Sequence, residues 1–193
     1  MSACADDFPP GGGGSGLPVR LALPSGIVTL RDARTGDVAA VVALLRDDVL
    51  GAAREAPNQK VGKAQCRRPV AGGLDSEDME PYVRAFDAMA ADPRQLLVVV
   101  EEEGVVVATM QVSFLPGMAH RGALRAQLEA VRVAGSCRSR GIGRAMIAWA
   151  LDEARRRGCR LVQLTTDKTR TEALGFYLAQ GFAASHEGLK LML

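Results

Sequence analysis

The chain is poor in the residues that most often announce a chemistry. It has two histidines and four cysteines, Cys4, Cys66, Cys137 and Cys159, at irregular spacings with no Cys-x-x-Cys pair. That set excludes a zinc ribbon or a disulfide framework, so no metal is expected and the thiols read as reduced, in a cytoplasmic protein. Aromatic residues make up only 4%, with a single tryptophan, which leaves no platform for stacking nucleotide bases. Charge of one sign is also lacking: a net +2 is no electrostatic footprint for nucleic acid. No apolar run approaches the roughly 18 residues of a membrane span. The first residues carry Asp6 and Asp7 and no basic region followed by an apolar one, so they do not read as a secretory signal. What remains is an ordinary globular composition, 48% hydrophobic and 24% charged over 193 residues. A single domain with a substantial core fits that length.

The chain is not short of glycine, and much of it is gathered in "PPGGGGSGLP". That segment has too little apolar surface to offset the entropy of ordering it, so residues 1–25 read as a disordered tail and 26–193 as one domain. "GIVTLRDA" reads as a strand. "TGDVAAVVALLRDDVLG" follows as a helix with Val38, Val42, Leu45 and Val49 on one face and Gly51 as its stop. Residues 52–74 show no periodicity and read as a loop. Ser76 then caps a helix with Met79, Val83, Phe86 and Met89 as its inner stripe. "QLLVVVEEEGVVVATMQVSFL" is a hairpin turning at Glu103-Gly104. After a loop, "RAQLEAVRVAG" is a strand, Gly141 to Arg157 a helix and "CRLVQLTT" a buried strand. "TRTEALGFYLAQGF" is a helix with a capping box from Thr169 to Glu172, closed by Gly181, and two short strands end the chain. Gly175 inside that helix costs about 1 kcal/mol relative to alanine and marks either a close approach or nothing. The order is β-α-α-β-β-β-α-β-α-β-β. The fold class is α/β with a mixed sheet (α+β in its first half), parallel where single helices connect strands.

Within this frame one stretch stands out. "RSRGIGRAM" places Arg138, Arg140 and Arg144 around Gly141 and Gly143, directly ahead of an amphipathic helix. The first free amides of a helix carry partial positive charge and attract anions. Glycines lack side chains that would hold a phosphate away, and arginines add charge-assisted hydrogen bonds. The same glycines could serve tight packing alone, and the arginines could be merely solvated. No Gly-Lys-Ser/Thr follows, and position 146 is Met, so neither a Walker loop nor a Gly-x-Gly-x-x-Gly turn is present.

The pattern Arg138-x-x-Gly141-x-Gly143, after the strand "LEAVRV" and before an amphipathic helix, resembles the acetyl-CoA-binding signature of GNAT-type N-acetyltransferases. "ALGFYLAQGF" is similar to a later helix of that family. The resemblance implies a GNAT-like fold whose strand at 128–133 splays from its parallel neighbour at 160–166. Main-chain groups of Val131 and Val133, with Arg132 between them, would then meet the pantetheine amides. The pyrophosphate would lie on the amides of Arg138, Ser139, Arg140, Gly141, Ile142, Gly143 and Arg144. Arg170 stands where many members carry asparagine and could reach the CoA phosphates. The implied activity is transfer of acetyl from acetyl-CoA to a primary amine by direct attack in a ternary complex.

Such a reaction needs a base and a group to receive the departing thiolate. Glu129 lies where similar family members often carry a glutamate base, and in a regular strand it would share a face with Val131 and Val133; a bulge would change that. It could equally be a surface charge of the sheet. Tyr177 lies where the resemblance places the acid, although an aromatic residue beside Phe176 is also ordinary core packing. His120, Arg121 and Arg125 flank the expected acceptor entrance. Cys137 reads as a small loop residue, "RRR" at 155–157 as a solvated helix end and "EEE" at 101–103 as a hairpin tip. The acceptor is expected to be a small-molecule amine, loosely suggested by a likeness to aminoalkylphosphonate acetylation. No nucleic-acid or membrane partner is expected, and a homodimer is plausible by resemblance. The competing reading is a CoA-binding regulatory or interaction module without turnover.

Overall fold

A computed structural model describes residues 16–47, 49–55 and 76–191. Six strands form one sheet in chain order: β1 (Val19–Leu23), β2 (Gly26–Asp32), β3 (Gln95–Glu102), β4 (Val105–Pro116), β5 (Leu124–Val133) and β6 (Leu161–Leu164). All neighbours are antiparallel except β5 and β6, which run parallel. Helices α1 (Val38–Leu45), α2 (Val49–Arg54) and α3 (Ser76–Ala90) separate β2 from β3. A single turn, α4 (Ala119–Gly122), links β4 to β5, and α5 (Ile142–Arg156) makes the crossover from β5 to β6. Helix α6 (Thr171–Ala179) follows β6.

The sheet packs on both faces. On one face Val98, Val100, Met110, Val112, Ala126 and Leu128 meet Ile142, Met146, Ile147 and Ala150 of α5 in a fully buried core. On the other, Leu97 of β3 packs with Val38 and Val42 of α1 and with Phe86, Met79 and Val83 of α3. These are the stripes the sequence periodicity selects. Between α1 and α2 the chain turns at Arg46 and Asp47, and Gly51 lies inside α2 rather than stopping a helix.

Three other expectations change, and one left open is decided. The segment read as tail contains β1, which pairs with β2 from Val19↔Leu30 to Leu23↔Gly26, so order begins before residue 26. Residues 1–15 lie outside the described residues, as do the interior of the 52–74 loop and the Ser76 cap. The capping box of α6 does not form: Thr169 donates from Oγ1 to Asp167 Oδ1 (2.7 Å) and Arg170 occupies the cap position without a side-chain cap bond. The two terminal strands are absent from residues 183–191. Gly175 faces open space, so it marks no close approach.

The basic end of α5 is more than a solvated terminus. Glu153, whose side chain is 3% exposed, accepts from Arg156 Nη2 (2.7 Å) and from Arg157 Nε (2.7 Å). Arg157 also lies 4.1 Å over the Phe114 ring and donates to Pro93 O (3.0 Å), tying α5 to the sheet. Burial pushes the Glu153 carboxyl up, but the bonds from the two guanidinium groups outweigh it and hold it below the usual range. A carboxyl lowered on folding stabilises the protein above its unfolded pKa of about 4.3, and that contribution fades as pH falls through the lower folded value. Glu153→Gln, measured by urea unfolding at neutral pH, should lose about 1 to 2 kcal/mol, since the bonds from Arg156 and Arg157 then go to a neutral acceptor. Its stability should then change less between neutral pH and the acid range than that of the unaltered chain.

Candidate functional site

Strand β5 is a ladder interrupted once. Opposite it, Gln111 pairs with Glu129 and Thr109 with Arg132, so two residues of β5, Ala130 and Val131, stand against the single Met110 of β4. Ala130 takes a left-handed φ of 51° to make this bulge. The bulge marks the splay. Before it, residues 125–128 pair with 161–164 of β6; beyond it β5 runs on to Val133 with no β6 partner.

The extra residue also resets which way each side chain points. Val131 and Val133 turn to the α5 face and pack on the buried core. Glu129 therefore does not share their face, as a regular strand would require. It lies exposed on the opposite face, with Gln111 as its cross-strand neighbour and Arg132 next along it. The backbone alternates too. The Ala134 N–H bonds back to Val107 O of β4 (2.9 Å), so the main-chain groups of Val133 face away from β4, toward the splay. Two arginines meet that edge: Arg132 Nη1 donates to Val131 O (2.9 Å) and Arg138 Nε to Val133 O (3.2 Å).

After β5 a short 3-10 turn (Gly135–Cys137) leads into the glycine-arginine segment. Ser139 has φ 61° and Gly141 φ 90°, two left-handed residues that fold the amides into a concavity before α5 begins. The first bond of the helix runs from Ala145 N–H to Gly141 O (3.0 Å). The amides of Ser139 through Arg144 therefore precede the ladder, and no acceptor among the described residues takes them. The turn is a cup lined by unbonded N–H groups. Gly141 suits its left-handed backbone, and a β-carbon there would meet Pro24 Cδ at 3.8 Å and Leu23 Cδ2 at 3.9 Å, so the β1–β2 hairpin borders the cup. At Gly143 a β-carbon would lie 3.5 Å from Phe176 Cζ and 3.8 Å from Val133 Cγ2, an ordinary contact, so packing of α6 on β5 does not itself demand glycine there.

The three arginines of the segment are not equivalent. Arg138 bonds Asp47 Oδ2 (3.1 Å), which also accepts from Gly135 N–H (2.8 Å) and so ties the α1–α2 turn to the cup. Arg140 forms a two-pronged pair with Glu102 (2.5 and 2.9 Å) and also reaches Ser25 Oγ (3.3 Å). The Arg140 bonds hold the Glu102 carboxyl below its usual range. Arg144 is exposed. Sequence reasoning missed Asp47 and Glu102 as partners because nothing local links them to residues 138–140. The acidic run at 101–103 is accordingly not just a hairpin tip: Glu101 pairs with Arg31 and Glu102 with Arg140. Cys137 is buried beneath the cup, 3.6 Å from Arg140 Nη1.

Tyr177 sits on α6 against the main core, its ring edge-on to Phe176 (5.2 Å) and to Phe182 (5.9 Å). Burial pushes its phenol up, while Arg132 and Arg170 pull it down by less. Its neighbour Phe176 lies, with Val133, beside Gly143, so this part of α6 sits beside the far half of β5. The structure thus brings Val131, Val133, the cup and Tyr177 together on the α5 side of β5, with Arg132 on the other face. Glu129 stands at the bulge, on the opposite face. Among the described residues no cluster of three metal-ligating side chains occurs, and no helix is long and apolar enough to cross a membrane.

The model of the acetyltransferase (GNAT) family matches residues 63–182. The chain belongs to the GNAT family. It is an acyltransferase of that family, with the mixed sheet such proteins share. It is 39% identical to a solved structure described as a transcriptional regulator from Bacillus halodurans, covering 86% of this chain and 99% of that one at a TM-score of 0.72. A structure from Agrobacterium tumefaciens, assigned as an acetyltransferase, is 25% identical over 85% of this chain and 99% of its own, with a TM-score of 0.65. The aminoalkylphosphonate N-acetyltransferase of Salmonella typhimurium is 28% identical over 109 residues, 56% of this chain and 70% of that protein.

Proposed function

We propose that this GNAT domain transfers the acetyl group of acetyl-CoA to a small primary amine by direct attack in a ternary complex. The observation that carries the reading is the unpaired edge of β5 beyond the Ala130 bulge, running directly into a cup of free amides. An edge of exposed main-chain groups takes an amide-bearing chain as it would a strand, and a ring of N–H groups takes the diphosphate at its end. In this reading Val131 and Val133 hold the pantetheine arm, while Ser139 to Arg144 hold the phosphates. Arg132 and Arg138, now bonded to the two β5 carbonyls, give up those bonds when the arm arrives. Arg138 and Arg144 then supply charge to the phosphates, and Arg170 supports Tyr177.

Glu129 takes the proton that an ammonium must lose before its nitrogen can attack. The new N–C bond forms as the C–S bond breaks, and the Tyr177 hydroxyl donates to the sulfur as it gains charge. The named activity of the Salmonella relative supports a small amine as acceptor. A binding-only module is the competing reading, because the Bacillus halodurans relative is described as a transcriptional regulator. Release of free thiol from acetyl-CoA across a panel of amines, run beside calorimetry with CoA, separates the two. Amine-dependent release supports transfer. Binding heat with no release for any amine supports the module, and no heat at all removes both.

A further inference from the structure

The four glutamines of strands β3 to β6 all lie on one face of the sheet, the face that carries Glu129. Register shows it: Gln95 stands opposite Ser113, Ser113 opposite Gln127, and Gln127 opposite Gln163, a single row across four strands. Gln111 lies one step along β4 from Ser113, directly beside Glu129. Helix α3 packs on β3 at this face and α1 on β4 and the far part of β5, which leaves Gln163 and Glu129 exposed and Gln127 half-buried.

The members of the row are bonded to one another. Ser113 Oγ donates to Gln95 Oε1 (2.6 Å) and Gln163 Nε2 to Gln127 Oε1 (2.7 Å). One bond between two primary amides uses only a fraction of their donors and acceptors. The rest project, pre-oriented, from a rigid sheet. Neighbouring strands are about 4.8 Å apart and alternate residues of a strand about 7 Å apart, so Gln111 and Gln127 both stand within a few bonds' reach of anything seated on Glu129.

The row is also uncharged. Arg125 and Arg132 border the row on this face: Arg125 Nη1 lies 3.6 Å from where a Gly117 β-carbon would be, at the β4–β5 turn, and Arg132 Nη1 donates to Val131 O. A surface that only needed solvation would carry lysine and glutamate as readily as glutamine. Here the row residues beside Glu129, Gln111 and Gln127, are neutral, each able to donate and accept. Hydroxyl groups near an amine have that same double character.

We infer that this face selects a hydroxylated amine, with Gln127 and Gln163 as specificity-determining residues and Glu129 at the reacting nitrogen. The inference rests on the transfer reading above and narrows its acceptor. It departs from the named substrate of the Salmonella relative, since the row itself is built of amides and a hydroxyl rather than of cations.

The test compares the full chain acting on glucamine, hexylamine and 3-aminopropylphosphonate, with rates expressed per unprotonated amine. Glucamine and hexylamine share a carbon chain and differ in their hydroxyls. Glucamine should show a kcat/KM at least tenfold above both others. Gln127→Leu and Gln163→Leu should each raise KM for glucamine about tenfold, with kcat, the KM for acetyl-CoA and the KM for hexylamine unchanged. Equal rates for glucamine and hexylamine, a preference for the phosphonate, or the same KM shift for every amine would each overturn the inference. If no amine is acetylated, the transfer reading fails instead. Equilibrium binding of glucamine to the acetyl-CoA complex of the unaltered and Gln127→Leu chains then decides this inference: no difference between them overturns it.

Discussion

Tyr177→Phe should lower turnover about a hundredfold, the typical cost of removing one donor aimed at developing charge, while the affinity for acetyl-CoA changes less than about twofold. The asymmetry follows from what the hydroxyl does. The ring packs between Phe176 and Phe182, and phenylalanine keeps that packing, so the fold and the cofactor site survive. Only the O–H is lost. Burial holds the Tyr177 phenol above its ordinary value near 10, against a weaker pull from Arg132 and Arg170. It therefore stays protonated throughout the neutral range. A thiol ionises near 8.5, so the phenol stabilises the departing thiolate by a hydrogen bond rather than by surrendering its proton outright. Turnover profiles of the two proteins between pH 6 and 9 should accordingly run parallel and differ only in height. A Tyr177→Phe chain with unchanged turnover removes the hydroxyl from the reaction. One with proportionate losses in turnover and acetyl-CoA affinity assigns it to binding.

What the sequence disclosed and what it hid divide along a physical line. Helix α5, the β3–β4 hairpin and the buried valines of β3 were legible because periodicity and turn residues are local properties, and each element is stabilised largely by its own amphipathic face. The cup was legible for the same reason: Gly141 and Gly143 stand beside arginines in one short run. Strand β1 carried an alternating "VRLAL" and a "PS" turn, but the glycine-rich run before it drew the boundary too late. The bulge at Ala130 had no local signal at all. "LEAVRV" reads as an unbroken strand, and no glycine marks a residue that must adopt a left-handed backbone. The register is set instead from outside, where β4 holds both halves of β5 while β6 holds only the first. Ion pairs between Asp47 and Arg138 and between Glu102 and Arg140 are hidden for the same reason, as is the glutamine row: each joins residues far apart in sequence. The expected terminal strands show the converse. Alternation in "LKLML" favours a strand, yet residues up to 191 form none, because pattern alone supplies no neighbour to pair with.

The bulge bears most directly on Glu129. Leu128 just before it faces the core, so Glu129 lies on the open face, and in a regular strand Val131 and Val133 would share that face. The extra residue instead turns the two valines to the core and leaves the carboxylate on the other side. One carboxylate thus stands on the open face at the point where the unpaired edge begins. If it serves as the base, Glu129→Gln should reduce kcat/KM about 10²- to 10⁴-fold at neutral pH, the usual span for general-base catalysis. Only about one alkylammonium in a few thousand is deprotonated at pH 7, given a pKa near 10.4. Without the carboxylate the reaction must draw on that free fraction, so the variant's rate should climb about tenfold per pH unit toward the amine's own pKa. The unaltered chain should level off earlier. The gap between them should therefore narrow steadily as pH rises, with the KM for acetyl-CoA unaffected in both. A deficit that stays constant across the pH range would mean that Glu129 orients the acceptor without taking its proton. No deficit at all would make it a surface charge of the sheet.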